Sequence, residues 1–412
     1  MRKILILWWS LLLSMTVFAQ DETVSDSLVT DSVTDVTLAT DTLPFPQNIQ
    51  HRLDSMIAVS RTLQHSQLGL MVYDLTADSA IYTYNHRQTM RPASVMKLVT
   101  AIAAIDRLGG SYQLRTSLCY KGKIENRTLN GSLYCVGGMD PRFNSDDLTA
   151  FIESLRRLDI DTIRGQIVSD RSFKEKDLLG EGWCWDDDNP VLTPLLLNRK
   201  DNLVERLIER LTENGMTLAV TRSEGTLPTG AQTICTRTHT IEQVLSKMLK
   251  ESDNLYAEAM FYQLAAAGGA RPAKASHARE AVKKLIQKNR LTPSAYRIAD
   301  GSGLSLYNYV SPELLTRLLR YAWRNSNISE YLIPALPIAG VDGTLKNRMK
   351  NTAAEGNVHA KTGTLTGISS LAGYCTAPNG HILSFVIINQ GVLRNSDGRT
   401  FQDRVCNALC KP

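Results

Sequence analysis

The 412-residue sequence predicts an α+β fold in which both ends of the chain build one sheet and a β-rich domain is inserted between them. Three observations carry this. The chain opens as helix, hairpin, helix up to Leu108, and closes as strand, strand, helix from Ser369 to Cys410. Between them, from 111 to 240, helical periodicity gives way to short β-rich pieces, and it returns at Ile241.

The N-terminus has the layout of a secretory signal peptide. Arg2 and Lys3 precede an apolar run from Ile4 to Phe18, with a cleavage site after Ala19. This predicts secretion across the inner membrane and a periplasmic or wall-facing location. Residues 20–46 read as an acidic flexible tether. Asp21, Glu22, Asp26, Asp31, Asp35 and Asp41 alternate there with Ser, Thr and Val, too little apolar surface to offset the entropy of ordering.

The elements of the body follow in order. Leu53, Ile57 and Leu63 give a helix over 49–64. Leu68 to Asp74 and Ile81 to Asn85 form a hairpin across a polar turn, and a helix from Ser94 to Leu108 ends at Gly109-Gly110. Within 111–240, strands at 113–120, 132–136 and 162–169 accompany amphipathic helices at 147–158 and 203–214. Residues 241–288 and 312–325 are helical, strands follow at 369–376 and 381–390, and a helix closes the chain at 400–410. This assigns 47–110 and 241–412 to one domain and 111–240 to the insertion.

Composition excludes several classes. A net charge of +5 with no Lys/Arg block gives no electrostatic footprint for nucleic acid. Beyond the signal segment no apolar run approaches the ~18 residues of a membrane helix, so the mature chain has no transmembrane segment. The seven histidines show no ligand spacing and predict no metal site. His359, two residues before Lys361 on a strand, shares its face and is read as packing. The seven cysteines are too few in this length for a disulfide-stapled scaffold.

Three short motifs carry chemistry. Ser94-Val95-Met96-Lys97 places an amine one helical turn from a hydroxyl, where a deprotonated Lys97 can take the Ser94 proton. Ser252-Asp253-Asn254 offers a hydroxyl that can relay a proton and an amide that can bind a carbonyl. Lys361-Thr362-Gly363-Thr364 opens a strand with a fixed positive charge and a hydroxyl suited to a carboxylate, and Gly363 leaves room for a substrate backbone. Alone, each is equally an ordinary helix surface, turn or edge strand.

Together and in this order, the three resemble the motif set of penicillin-binding proteins and serine β-lactamases. The sequence resembles the low-molecular-mass class C penicillin-binding proteins, the D-alanyl-D-alanine carboxypeptidase/endopeptidase family. The likeness extends through Arg91 to Lys97, Leu133 to Pro141, Asp300 to Ser305, Gly340 to Leu345 and Ala360 to Leu365. The 158-residue gap from Ser94 to Ser252 matches that class, which carries its insertion there.

The resemblance implies the penicillin-binding/serine β-lactamase-like transpeptidase fold and a serine DD-peptidase acting on peptidoglycan stem peptides without cofactor. It implies β-lactams as covalent inhibitors. It implies Ser94 as nucleophile, Lys97 as its base, Ser252 as proton relay and Asn254 as ligand of the acyl-side amide. Lys361 and Thr362 would hold the terminal carboxylate, and the N–H groups of Ser94 and Thr364 would form the oxyanion hole. The Asp300 and Gly340 segments are read as turns framing the cleft. Two rivals remain at this point: a β-lactamase of the same fold, and a non-catalytic wall-binding protein.

Overall fold

A computed structural model describes residues 43–186 and 189–412. The expected signal peptide and most of the tether lie outside the described residues. The tether's end is corrected: Pro44 to Pro46 belong to the folded body. The Pro44 carbonyl accepts from Asn48 N, and the Phe45 ring packs edge-on to His381 at 5.2 Å.

Helix α1 (Gln47–Ala58) is followed by strands β1 (Gln67–Asp74) and β2 (Ser79–Tyr84), then α2 (Met96–Leu108). Next come β3 (Gln113–Glu125), β4 (Thr128–Val136), α3 (Ser145–Arg157), β5 (Thr162–Asp170), α4 (Leu203–Glu213), β6 (Thr217–Glu224) and β7 (Gln232–Thr240). Helices α5 (Ile241–Lys250), α6 (Asn254–Ala266), α7 (Ala275–Lys288), α8 (Pro312–Trp323) and α9 (Ser326–Leu332) form the next group. Strands β8 (His359–Leu365), β9 (Ile368–Thr376) and β10 (Ile382–Gln390) and helix α10 (Asn395–Cys410) complete the chain.

The first sheet has the order β2-β1-β10-β9-β8, antiparallel throughout, and it joins the two ends of the chain. Both of its faces are covered, which is why β10 carries the continuous apolar stretch Phe385 to Ile388. Phe385 and Ile387 point to the core shared with α1 and α10, while Val386 and Ile388 point to the core shared with α2, α6 and α8. Helix α6 is buried from Leu255 to Ala265 and is apolar all round except for Glu258 and Gln263.

The second sheet, β6-β5-β4-β3-β7, takes all its strands from 113–240. It is mixed: β4, β5 and β6 run parallel, linked through α3 and α4, and β3 runs antiparallel to β4 and β7. Leu118, Phe143, Phe151, Ile163 and Leu207 head its own apolar core. Residues Pro44–Pro412 nevertheless cluster as one compact unit. Strands β6 and β7 escaped the periodicity reading because they lie at the sheet edges, where half-exposed polar residues such as Thr, Arg and Ser dilute the alternation.

Candidate active site

The segment before α2 is not yet α-helix. Ala93–Val95 forms a 3-10 turn, with Ala93 held at φ 49°, and α2 proper begins at Met96. The turn leaves Ser94 half-buried between fully buried neighbours. Two contacts clamp it. Ser370 on β9 donates to the Pro92 carbonyl at 2.6 Å. Gly303, at φ 80°, lies so close that a Cβ there would overlap the Ala93 carbonyl oxygen. Gly363 does the same work from β8: a Cβ on it would meet Pro92 O at 2.7 Å and Val95 N at 3.0 Å. Besides the room for a substrate backbone expected of it, the missing side chain of Gly363 lets the strand dock on the nucleophile turn.

Lys97 lies one turn into the helix and is fully buried. Its Nζ donates to Ser94 Oγ at 2.9 Å, Asn254 Oδ1 at 2.8 Å and the Ser302 carbonyl at 2.9 Å. Burial lowers its pKa to about 8, against the opposing pull of Asp300, Glu258 and Asp253. A lysine so placed can exchange a proton with the serine near neutral pH.

The Ser252 segment explains its own composition. Asp253 caps α6, accepting from Tyr256 N at 3.3 Å, and Ser252 stands at φ 61°. The cap turns Ser252 and Asn254 to different partners: Asn254 meets Lys97, and Ser252 Oγ accepts from Lys361 Nζ at 2.8 Å. Lys361 is fully buried and also donates to the Thr362 carbonyl at 2.7 Å. Burial and the charge of Lys97 hold its amine well below the usual lysine range. The fixed positive charge expected of Lys361 is therefore conditional: among the described residues its hydrogen-bond partners are a hydroxyl and a carbonyl, and an arriving anion would restore its charge. Thr364, also on β8, is exposed beside this row.

Six of the eight expected residues thus fall into two adjacent hydrogen-bonded groups, Ser94–Lys97–Asn254 and Ser252–Lys361–Thr362, coupled through the charges of the two lysines, and Gly363 and Thr364 follow on the strand of the second. Sequence reasoning passed over four others. Asp300 is buried and accepts from Gly303 N, Ser305 N, Asn308 Nδ2 and Trp183 Nε1 at 2.7–2.8 Å, fixing the loop that presents the Ser302 carbonyl. Glu258 accepts from the Gly301 and Ser302 amides. Thr344 Oγ1 meets Thr362 Oγ1 at 2.8 Å, so its segment joins the Lys361–Thr362 end of the site directly. Trp183 lies in the segment Gly182-Trp183-Cys184-Trp185 of the insertion. The available signal was a single acid in the apolar run of α6 and the buried acid opening Asp300-Gly301-Ser302-Gly303.

The serine–lysine pair, the second serine and asparagine and the edge-strand lysine, set where α2 and the start of α6 meet strand β8, define a serine penicillin-binding enzyme of the low-molecular-mass class C type. The chain belongs to the D-Ala-D-Ala carboxypeptidase 3 (S13) family, which it matches over residues 49–196 and 195–410. It is a serine DD-peptidase, a hydrolase. It is 26% identical over 406 residues to the D-alanyl-D-alanine carboxypeptidase DacB of Haemophilus influenzae, covering 78% of this chain and 85% of that protein. It is 26% identical over 429 residues to a D-alanyl-D-alanine carboxypeptidase of an Actinomadura species, covering 80% and 78%. The crystal structure of penicillin-binding protein 4 from Haemophilus influenzae superposes with a TM-score of 0.80 at 24% identity, over 87% of this chain and 99% of that one. The same protein in complex with a β-lactam gives 0.75 at 25%.

Proposed function

We propose that this enzyme cleaves the peptide bond after a D-alanine in peptidoglycan stem peptides through an acyl-enzyme on Ser94, and that penicillin acylates the same oxygen. The observation that carries this is the buried Lys97 amine, held at once by Ser94 Oγ and Asn254 Oδ1. In the neutral state Lys97 takes the Ser94 proton as Oγ attacks the carbonyl carbon after D-alanine. The resulting oxyanion is received by the N–H groups of Ser94 and Thr364. Asn254 holds the acyl-side amide. Ser252, bonded to Lys361, passes a proton to the leaving amine and is reprotonated at the expense of the proton held by Lys97. Water then attacks the acyl carbon and gives a proton to the again neutral Lys97, and Ser94 Oγ leaves with that proton as the acid is released. Lys361 and Thr362, with Thr344 behind them, bind the terminal carboxylate.

Terminal D-Ala–D-Ala bonds and D-alanine cross-links present the same reacting atoms, so carboxypeptidase and endopeptidase action both fit this site. The signal-type N-terminus supports secretion and a periplasmic or wall-facing location. Among the described residues no helix is long and apolar enough to cross a membrane.

A β-lactamase of the class A type would need a carboxylate free to activate the deacylating water. The three acids acting on Lys97 are already engaged: Asp300 and Glu258 by loop amides, Asp253 by Tyr256 N and Arg199. A long-lived acyl-enzyme is the expected outcome. The test is intact-mass spectrometry after penicillin. One adduct on the Ser94 peptide, absent in Ser94→Ala, supports the reading, and no adduct or one elsewhere overturns it. Mass analysis of purified muropeptides before and after incubation then shows which bonds are cut.

A further inference from the structure

The one carboxylate inside α6 has no part in the chemistry above, yet it is built against it. Glu258 is 1% exposed. Its Oε1 accepts from Gly301 N at 3.0 Å and Ser302 N at 2.7 Å, and its Oε2 from Gly301 N at 3.2 Å. The same peptide is held from the other side by Thr100 Oγ1, which donates to the Gly301 carbonyl at 2.6 Å. The next carbonyl, that of Ser302, accepts from Lys97 Nζ at 2.9 Å. Gly301 fits this confined place because a Cβ there would meet Phe261 Cβ at 2.6 Å.

We propose that Glu258 is a positioning residue for acylation: by gripping the Gly301 and Ser302 amides it aims the Ser302 carbonyl at Lys97 and so holds that amine against Ser94. This rests on Ser94 being the acylated nucleophile. Glu258 does not touch the substrate; it acts through one peptide. A buried acid fits this task because its two oxygens can collect both amides of a tight turn, whereas a buried apolar side chain would leave them without partners.

Its charge adds a second consequence. Burial and the neighbouring Asp300 carboxylate raise the Glu258 pKa to about 8. Around neutral pH the group is therefore mainly protonated, and it gains its charge over the range in which Lys97 loses its own. The other groups facing this pair are Asp300 in the loop, Asp253 at the start of α6, Lys361 on β8 and Tyr262 one turn along α6. A negative Glu258 favours the charged amine. Removing that charge lets Lys97 become a base at lower pH.

Three proteins are compared for penicillin acylation rate across pH, with thermal melting alongside. Glu258→Ala strands the two amides and should acylate ~10- to 100-fold more slowly at neutral pH. Glu258→Gln keeps the amide-accepting oxygen and resembles the protonated acid. It should follow the acid limb of wild type to within about threefold, because Glu258 is already neutral there, and reach its plateau at lower pH, because no negative charge then develops beside Lys97. A Glu258→Ala enzyme that acylates like wild type overturns the proposal. So does a Glu258→Gln enzyme whose plateau begins at the wild-type pH, and this second arm decides the matter if Glu258→Ala fails to fold. Wild type that takes no adduct on Ser94 overturns the function reading itself, which separates the two failures.

Discussion

Lys97 and Lys361 are both fully buried, and only Lys97 sits among carboxylates. Asp300, Glu258 and Asp253 act on Lys97, whereas Lys361 has a hydroxyl and a carbonyl for hydrogen-bond partners and the positive Lys97 for a neighbour. The pair is unbalanced until an anion arrives. A substrate carboxylate at Lys361 would complete its charge, and the charged Lys361 would then press Lys97 toward its neutral, basic form.

The two lysines should therefore respond differently to arginine. In Lys97→Arg the guanidinium stays protonated and cannot accept the Ser94 proton, so acylation should be abolished. Lys361→Arg keeps a cation for the carboxylate and should lose only ~10- to 100-fold through a misfitted contact. Acylation by one labelled penicillin measures both. Equal losses, or efficient acylation by Lys97→Arg, would move the base to another residue.

Acylation should also depend on pH with a definite sign. Lys97 acts only when neutral, and its pKa is lowered to about 8. The rate should climb roughly tenfold per pH unit below that point and level off above it. A flat rate from about pH 6 to about pH 9 would contradict a lysine base.

Gly303→Ala tests the clamp on the nucleophile turn. The residue is at φ 80°, and its Cβ would overlap Ala93 O and meet Met96 Cβ at 2.8 Å. The change should cost about 1–3 kcal/mol of stability and at least ~10-fold in acylation. Gly109→Ala has nearly the same φ, 81°, with nothing within 4 Å of the added carbon. It should lower the melting temperature slightly and leave acylation unchanged, so a similar acylation loss in both would remove the clamp as the cause.

Thr344→Val removes a hydroxyl from the carboxylate end without disturbing a core, since Thr344 is exposed. The lost link to Thr362 should raise KM for a D-Ala–D-Ala peptide by a few-fold, about 0.5–1.5 kcal/mol. The Ser94–Lys97 geometry should be spared, leaving kcat within about twofold. Steady-state kinetics on a synthetic peptide decides it, and an unchanged KM would exclude Thr344 from the carboxylate site.

The chemistry of the site was legible because its residues come as short strings whose types are restrictive. An i,i+3 serine and lysine, a serine and asparagine two apart, and a lysine–threonine pair at a strand start each advertise one reaction partner. Helices such as α3, α4 and α8 were legible from amphipathic spacing, and β9 and β10 from apolar runs bounded by the Pro378-Asn379-Gly380 turn. The edge strands β6 and β7, and the true start of α2 after a 3-10 turn, were not, since local pattern is weakest where burial is partial or the backbone is strained.

By itself the sequence determined which short motifs gather at the site and that the two ends of the chain must share a sheet, because periodicity and residue type are local properties. What only the tertiary structure decided was their electrostatic state and their support. Asp300 and Glu258 are far from Lys97 along the chain, and only folding brings them to it while leaving Lys361 without an acid. Gly363 gained a second meaning for the same reason: the atoms that exclude a Cβ there belong to Pro92 and Val95, and no local pattern records a contact made across more than two hundred residues.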